Sequence, residues 1–161
     1  MKRYHVSVAA EAYAAAAFAR AGYEVSVQYG ANQPGYDLVV VKGERTLKVS
    51  VKGSQDGGWI INAPFKKPGV NWPQALAAWL ASQPKGVIMF YVQFQDARYL
   101  SLPNMYLATA QEVHDHMLTT RAGHIAGCLY EKYSFVKGLG KGSTDAIPQA
   151  WALSEHRIEN V

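Results

Sequence analysis

Residues 35–54 read GYDLVVVKGERTLKVSVKGS, and their patterning decides the fold. Leu38–Val41 is continuously apolar, as expected of a short buried strand. Gly43 and Glu44 turn the chain. Thr46–Lys52 then alternates, with Leu47, Val49 and Val51 on one face and Lys48, Ser50 and Lys52 on the other. Two strands joined by a tight hairpin place the start of the first beside the end of the second. Asp37 and Lys52 are therefore expected as neighbours.

Upstream of the hairpin, Ser7 is expected to cap a helix running to about Ala21, with Gly22 as its stop. The alanines of that segment favour helix and allow close packing on a sheet. Tyr23–Gln28 alternates like a half-buried strand, and residues 30–35 are turn-rich. Downstream, Gly53–Gly58 reads as a loop and Trp59–Asn62 as a short strand. A helix is expected from about Pro73 to Ser82 and an apolar strand over Val87–Phe94. Shorter strands are expected at Tyr99–Leu102 and Tyr106–Ala108. Thr109 and Glu112 open a capping-box helix reaching about Thr120. From about residue 123 the periodicity is poor, and glycines punctuate Lys137–Ser143, so a less regular C-terminal region is expected. The order is that of an α/β protein in one domain covering residues 1–161.

Composition narrows the function classes. The chain has 161 residues, 49% of them hydrophobic and 17% charged, which excludes a disordered chain. A net charge of +4 is compatible with a polyanionic partner. Cys128 is the only cysteine, which excludes an intrachain disulfide and a cysteine-based zinc cluster and suits a reducing cytoplasm. Lys2 and Arg3 are followed by no apolar run of secretory type. The most apolar stretch, Ala12–Ala19, is far shorter than the roughly 20 residues that cross a bilayer. A cytoplasmic protein without a membrane partner is the expectation.

Three ionisable residues stand where they can converge: Glu11 on the first helix, Asp37 before the buried strand and Lys52 at the end of its partner. Carboxylates at a strand edge can hold a divalent cation that polarises a phosphate and acidifies a bound water. A lysine beside them can orient that water or stabilise charge at the phosphorus. Singly, each has a plainer reading: Glu11 as an exposed helix acid, Asp37 as a turn residue, Lys52 as a cation at a strand end.

Together, EAYAAAAFARAGYEV from Glu11, GYDLVV from Gly35 and KVSVKGS from Lys48 resemble the PD-(D/E)xK nuclease superfamily, nearest to its Holliday-junction-resolvase-like members. The match covers about a third of the chain, roughly Ser7–Ser54. The resemblance implies a restriction-endonuclease-like core, a central mixed β-sheet flanked by helices, and a metal-dependent endonuclease acting on DNA or structured nucleic acid. Residue by residue it implies Glu11 as the helix acid, Asp37 as the metal-binding aspartate and Lys52 as the catalytic lysine, with Mg²⁺ or Mn²⁺ bound by Glu11 and Asp37. Ser50 occupies the position of the family's second acid. A hydroxyl is a weaker ligand for a hard cation than a carboxylate, so an inactive nuclease-fold module that binds nucleic acid or a protein partner is the alternative. An unrelated α/β enzyme of small metabolites is a third. Nucleases that cut both strands are often dimers, which leaves a homodimer open.

Flanking residues are candidates for nucleic-acid contact. Asn32 and Gln55, with Tyr29 and Gln33, lie on loops beside the expected site, where turn chemistry explains Asn32 equally well. Lys66 and Lys67 with Trp59 and Trp72 form a basic-aromatic segment suited to phosphates and bases, while packing against the Pro73 helix explains Trp59 equally well and Trp72 better. His114 and His116 do not face one another on a helix, so they make no metal pair. Residues 137–143 lack the spacing of a phosphate-binding loop and read as a flexible basic loop. Cys128 reads as a small core residue.

Overall fold

In a computed structural model, residues 1–28, 35–97 and 101–161 are described. Their elements begin with α1 (Arg3–Arg20), β1 (Glu24–Val27), β2 (Leu38–Lys42), β3 (Arg45–Ser54) and β4 (Gly58–Ile60). Then come α2 (Trp72–Ser82), β5 (Val87–Gln93), β6 (Asn104–Thr109) and α3 (Ala110–Thr119). The chain ends in β7 (Cys128–Tyr130), β8 (Lys132–Ser134), β9 (Thr144–Ala146) and α4 (Glu155–Asn160). It forms two compact units that alternate along the sequence. The first comprises Met1–Asp56, Pro84–Thr109 and Gln149–Val161, the second Gly57–Gln83 and Ala110–Pro148.

The first unit is an α/β structure around a five-stranded mixed sheet in the order β1-β2-β3-β5-β6. The β3–β5 pair is parallel and the other pairs antiparallel. The valine run and the Gly43-Glu44 turn form the expected hairpin, in which Lys42 faces Arg45. Gly43 has φ +60°, the backbone that a two-residue hairpin demands at its first central position.

Helix α1 covers one face of this sheet. Val6, Ala10, Ala14 and Phe18 form its buried stripe, at the four-residue spacing that keeps side chains on one helix face. Ala10, Ala14 and Phe18 share a core with Leu38, Val40, Val49, Val51, Ile88 and Phe90, completed by Ile158 of α4. The helix starts a turn earlier than Ser7 suggests. Ser7 donates back to the Arg3 carbonyl at 3.4 Å instead of capping the residues after it. The extra turn carries Val6 into the core, and that burial outweighs a missing cap.

The C-terminus of α1 matches expectation. Gly22 has φ +84°, its N–H donates to the Ala19 carbonyl, and the Tyr23 N–H donates to that of Phe18, both at 3.0 Å. This is a Schellman ending, with Tyr23 edge-on to Phe18 at 5.6 Å. Arg45 donates to the Tyr23 hydroxyl and to the carbonyls of Ile158, Glu159 and Val161. One guanidinium thus closes α4 against the sheet.

The second unit holds α2, α3 and two ladders, β4–β7 and β8–β9. A capping box starts α2, Asn71 accepting from the Gln74 N–H while the Gln74 side chain accepts from the Asn71 N–H. The region beyond residue 123 is more regular than expected, since β7, β8, β9 and α4 all lie there. Strands of three residues are too short to print a period on the sequence. Tyr99 and Leu100 of the expected short strand lie outside the described residues, and Leu102 is in no strand.

Candidate functional site

At the carboxyl end of β3 the ladder with β2 stops before the strand does. The last regular pair is Leu38 with Val49, while β3 continues to Ser54 against β5. Asp37 occupies the break. Its N–H donates to the Val49 carbonyl at 2.8 Å, and its own carbonyl accepts from Gln28 at 2.8 Å. Its Oδ2 accepts the Val51 N–H at 2.6 Å, supplying a partner to a donor that β2 no longer reaches. Gly35, with φ +78°, turns the chain into this position. The Asp37 backbone is thus held on both sides and its carboxylate oriented by one N–H, as a preorganised ligand must be.

Lys52 follows Val51 and is exposed. On β3, Val49 and Val51 point into the core with α1, so strand alternation places Ser50, Lys52 and Ser54 on the opposite face. Gly53 points toward α1. A Cβ there would lie 2.9 Å from Ala10 Cβ, Val6 Cγ1 and the Val6 carbonyl oxygen. Only a bare Cα lets the helix come this close, and the residue after Ala10 is Glu11.

Glu11 is half-buried and lies within the field of both other groups. Burial pushes its carboxyl above the ordinary glutamate range, the negative charge of Asp37 pushes it further, and the Lys52 ammonium pulls it back. Glu11 on α1 thus lies within electrostatic range of Asp37 and Lys52, although Lys52 leaves β3 on the face opposite the helix. A carboxyl whose ionisation a neighbouring carboxylate makes costlier, with a cation beside it, suits a site that takes up positive charge.

The raised Glu11 fixes the sign of a pH effect. The unfolded chain releases this proton near the ordinary value, about 4.3, and the folded chain at higher pH. Ionised Glu11 therefore destabilises the fold above its folded pKa, and the penalty vanishes below the unfolded value. Glu11→Gln is expected to raise the melting temperature at pH 7 and leave it unchanged at pH 3.5. Solvent screening keeps the rise small, roughly 1–2 °C. Thermal melts at the two pH values check it.

The remaining candidates are scattered. Ser50 is buried, 4% exposed. Both ends of the Gln55 amide are engaged by the main chain of Met1, at 2.6 and 2.8 Å. Trp59 is 3% exposed on β4, a core ring and not a stacking surface. Lys66 and Lys67 are exposed on the second unit, with the Lys66 ammonium 5.7 Å from the centre of the Trp72 ring. Asn32, Tyr29 and Gln33 lie outside the described residues. His114 pairs with Asp115 at 2.9 Å, and Cys128 is half-buried at a ladder edge, not a core residue.

Among the described residues, no three or more His, Cys, Asp or Glu side chains cluster as a metal cage. Mg²⁺ and Mn²⁺ do not require one. Mg²⁺ keeps several waters and is usually held by one or two carboxylates together with substrate phosphates. Glu11 and Asp37 fit that donor set, whereas a zinc or calcium site would need more ligands. A separate cleft of about 420 Å³ opens along α1 and α4, lined by Tyr13, Arg20, Leu102, Met105, Glu155 and Ile158 among others. None of Glu11, Asp37 and Lys52 lines it.

No protein-family model, curated protein or solved structure matches the chain. Among the described residues no helix is long and apolar enough to cross a membrane.

Proposed function

We propose that this chain is a metal-dependent endonuclease of the PD-(D/E)xK class that hydrolyses phosphodiester bonds in DNA or structured nucleic acid. The observation that carries the reading is the Asp37 carboxylate held at the break between β2 and β3 by the Val51 N–H, with Glu11 in electrostatic range of it and of Lys52. Glu11 and Asp37 would hold Mg²⁺ or Mn²⁺. When bound, such a cation polarises the scissile phosphate and lowers the pKa of a coordinated water. Asp37 is kept in place by the Val51 N–H. Lys52 sets its ammonium against the negative charge that grows on the phosphoryl oxygens.

A second reading is an inactive module of the same fold, favoured by the buried hydroxyl of Ser50 where the family carries an acid. A nicking assay on supercoiled and branched DNA, with Mg²⁺, Mn²⁺ or EDTA, separates the two. Cleavage with metal alone supports the nuclease; binding without cleavage supports the module. Either reading calls for binding that weakens as salt rises, because lysines on phosphates release condensed counterions. Replacing Lys66 and Lys67 with Ala is expected to lower the salt slope by about one per lysine, evenly across sequences. Fluorescence anisotropy over a salt series measures this, and an unchanged slope would remove these lysines from the interface.

A further inference from the structure

The β8–β9 hairpin of the second unit holds large apolar side chains in water on an ordered loop. Val136 is 76% exposed, Leu139 61% and Tyr133 45%. The loop is closed by main-chain bonds from Phe135 to Ser143 at 2.9 Å, Gly142 to Phe135 at 2.8 Å and Ser143 to Gly140 at 2.9 Å. The Ser134 and Thr144 hydroxyls meet across its base at 2.8 Å. These bonds give the loop a defined shape.

Arg121 braces it from behind. Arg121 and Ala122 have φ of +54° and +53°, a left-handed backbone that costs non-glycine residues on the order of 1–3 kcal/mol each and persists only where its surroundings impose it. The surroundings are visible: the Arg121 N–H donates to Asp145 Oδ1 at 2.7 Å. Its Nε–H donates to the Leu139 carbonyl at 2.6 Å, and its guanidinium lies 5.2 Å from the Phe135 ring centre. A Cβ on Gly140, whose φ is +80°, would run into the Arg121 side chain. Strain and glycine together fix Leu139 outward.

Charge names the partner. Over the hairpin, residues 132–146, the charged side chains are Lys132, Lys137, Lys141 and one acid, the buried Asp145 that accepts from the Arg121 N–H. Tyr133 stacks on Tyr130 with ring centres 4.7 Å apart. We propose that this hairpin is a wedge for duplex nucleic acid, its lysines on the phosphates and Val136 and Leu139 pressed against base steps. Apolar wedges that unstack a step are a recurrent device of proteins that bend DNA. A lipid surface fits less well. Lys137 lies between Val136 and Leu139, so sinking the tip into hydrocarbon would drag an ammonium with it; on a duplex, phosphates flank every step. The proposal rests on the reading that the chain engages nucleic acid, and not on its cutting it.

The test is a titration in EDTA of a short duplex carrying 2-aminopurine, alongside anionic phosphatidylserine vesicles. The native chain is expected to bind the duplex and raise the 2-aminopurine emission. Val136→Ser with Leu139→Ser is expected to lose at least about tenfold in affinity and most of the emission rise, with an unchanged salt slope. Lys137→Ala with Lys141→Ala is expected to lower the slope by about one per lysine. All four positions are exposed, and unchanged melting temperatures confirm intact folds. Full duplex affinity and emission in the serine variant would overturn the wedge while leaving nucleic-acid binding in place. Binding to vesicles and to no duplex would overturn both.

Discussion

Lys52→Ala is expected to lower metal-dependent cleavage by at least about 10²–10³-fold, the usual cost of deleting one group that stabilises transition-state charge. The fold should hardly notice. Lys52 is exposed, and surface substitutions usually change stability by no more than about 0.5 kcal/mol. Single-turnover cleavage, duplex affinity and a thermal melt on the same preparation separate the effects. A lost rate with affinity and melting temperature retained marks a group that acts in the reaction. Proportionate loss of rate and affinity would make Lys52 a phosphate contact, and an unchanged rate would remove it from the site.

The largest stability effect is expected at Gly53. Its missing side chain is the clearance between β3 and α1, where a Cβ would meet Val6 and Ala10 at 2.9 Å. One of those atoms is the Val6 carbonyl, which no rotamer change can move aside. Overpacking a core costs typically about 1–3 kcal/mol, and Gly53→Val, with two further methyl groups, belongs at or above the top of that range. In a chain of this size it should lower the melting temperature by roughly 6–12 °C. Gly53→Ala should lose less stability and still push α1 off the strand, carrying Glu11 from Asp37. Its cleavage rate, measured well below the melting temperature, is expected to fall further than its stability predicts. A Gly53→Ala protein as stable as the parent would mean that α1 yields without cost.

Most of the first unit's sheet is legible in the sequence because its signals are local. The valine run, the Gly43-Glu44 turn and the alternation through Lys52 fix the β2–β3 hairpin, and the hairpin brings the start of one strand to the end of the other. Glu11 joins them because the alanine stripe of α1 can lie on the same strands. What is illegible depends on partners distant in sequence. Nothing local tells that Trp59 is buried, or that Gln55 turns to Met1. The alternation of two units along the chain leaves no linker to read. Ser7 misleads because a serine before an alanine run is a good cap, whereas the start of α1 is decided by where Val6 can be buried. The exposed tip of the β8–β9 hairpin does leave a trace, since Val136 and Leu139 lie among glycines and lysines where a loop needs no apolar residue.

The central claim is that Glu11 and Asp37 form a divalent-cation site, and a calorimetric titration of Mn²⁺ into the native chain and Asp37→Asn tests it most directly. One saturable site is expected in the native chain. It should be lost in Asp37→Asn, and its apparent Mn²⁺ affinity should fall when Mg²⁺ competes for it. No saturable site in the native chain, or the same affinity in Asp37→Asn, would contradict the claim.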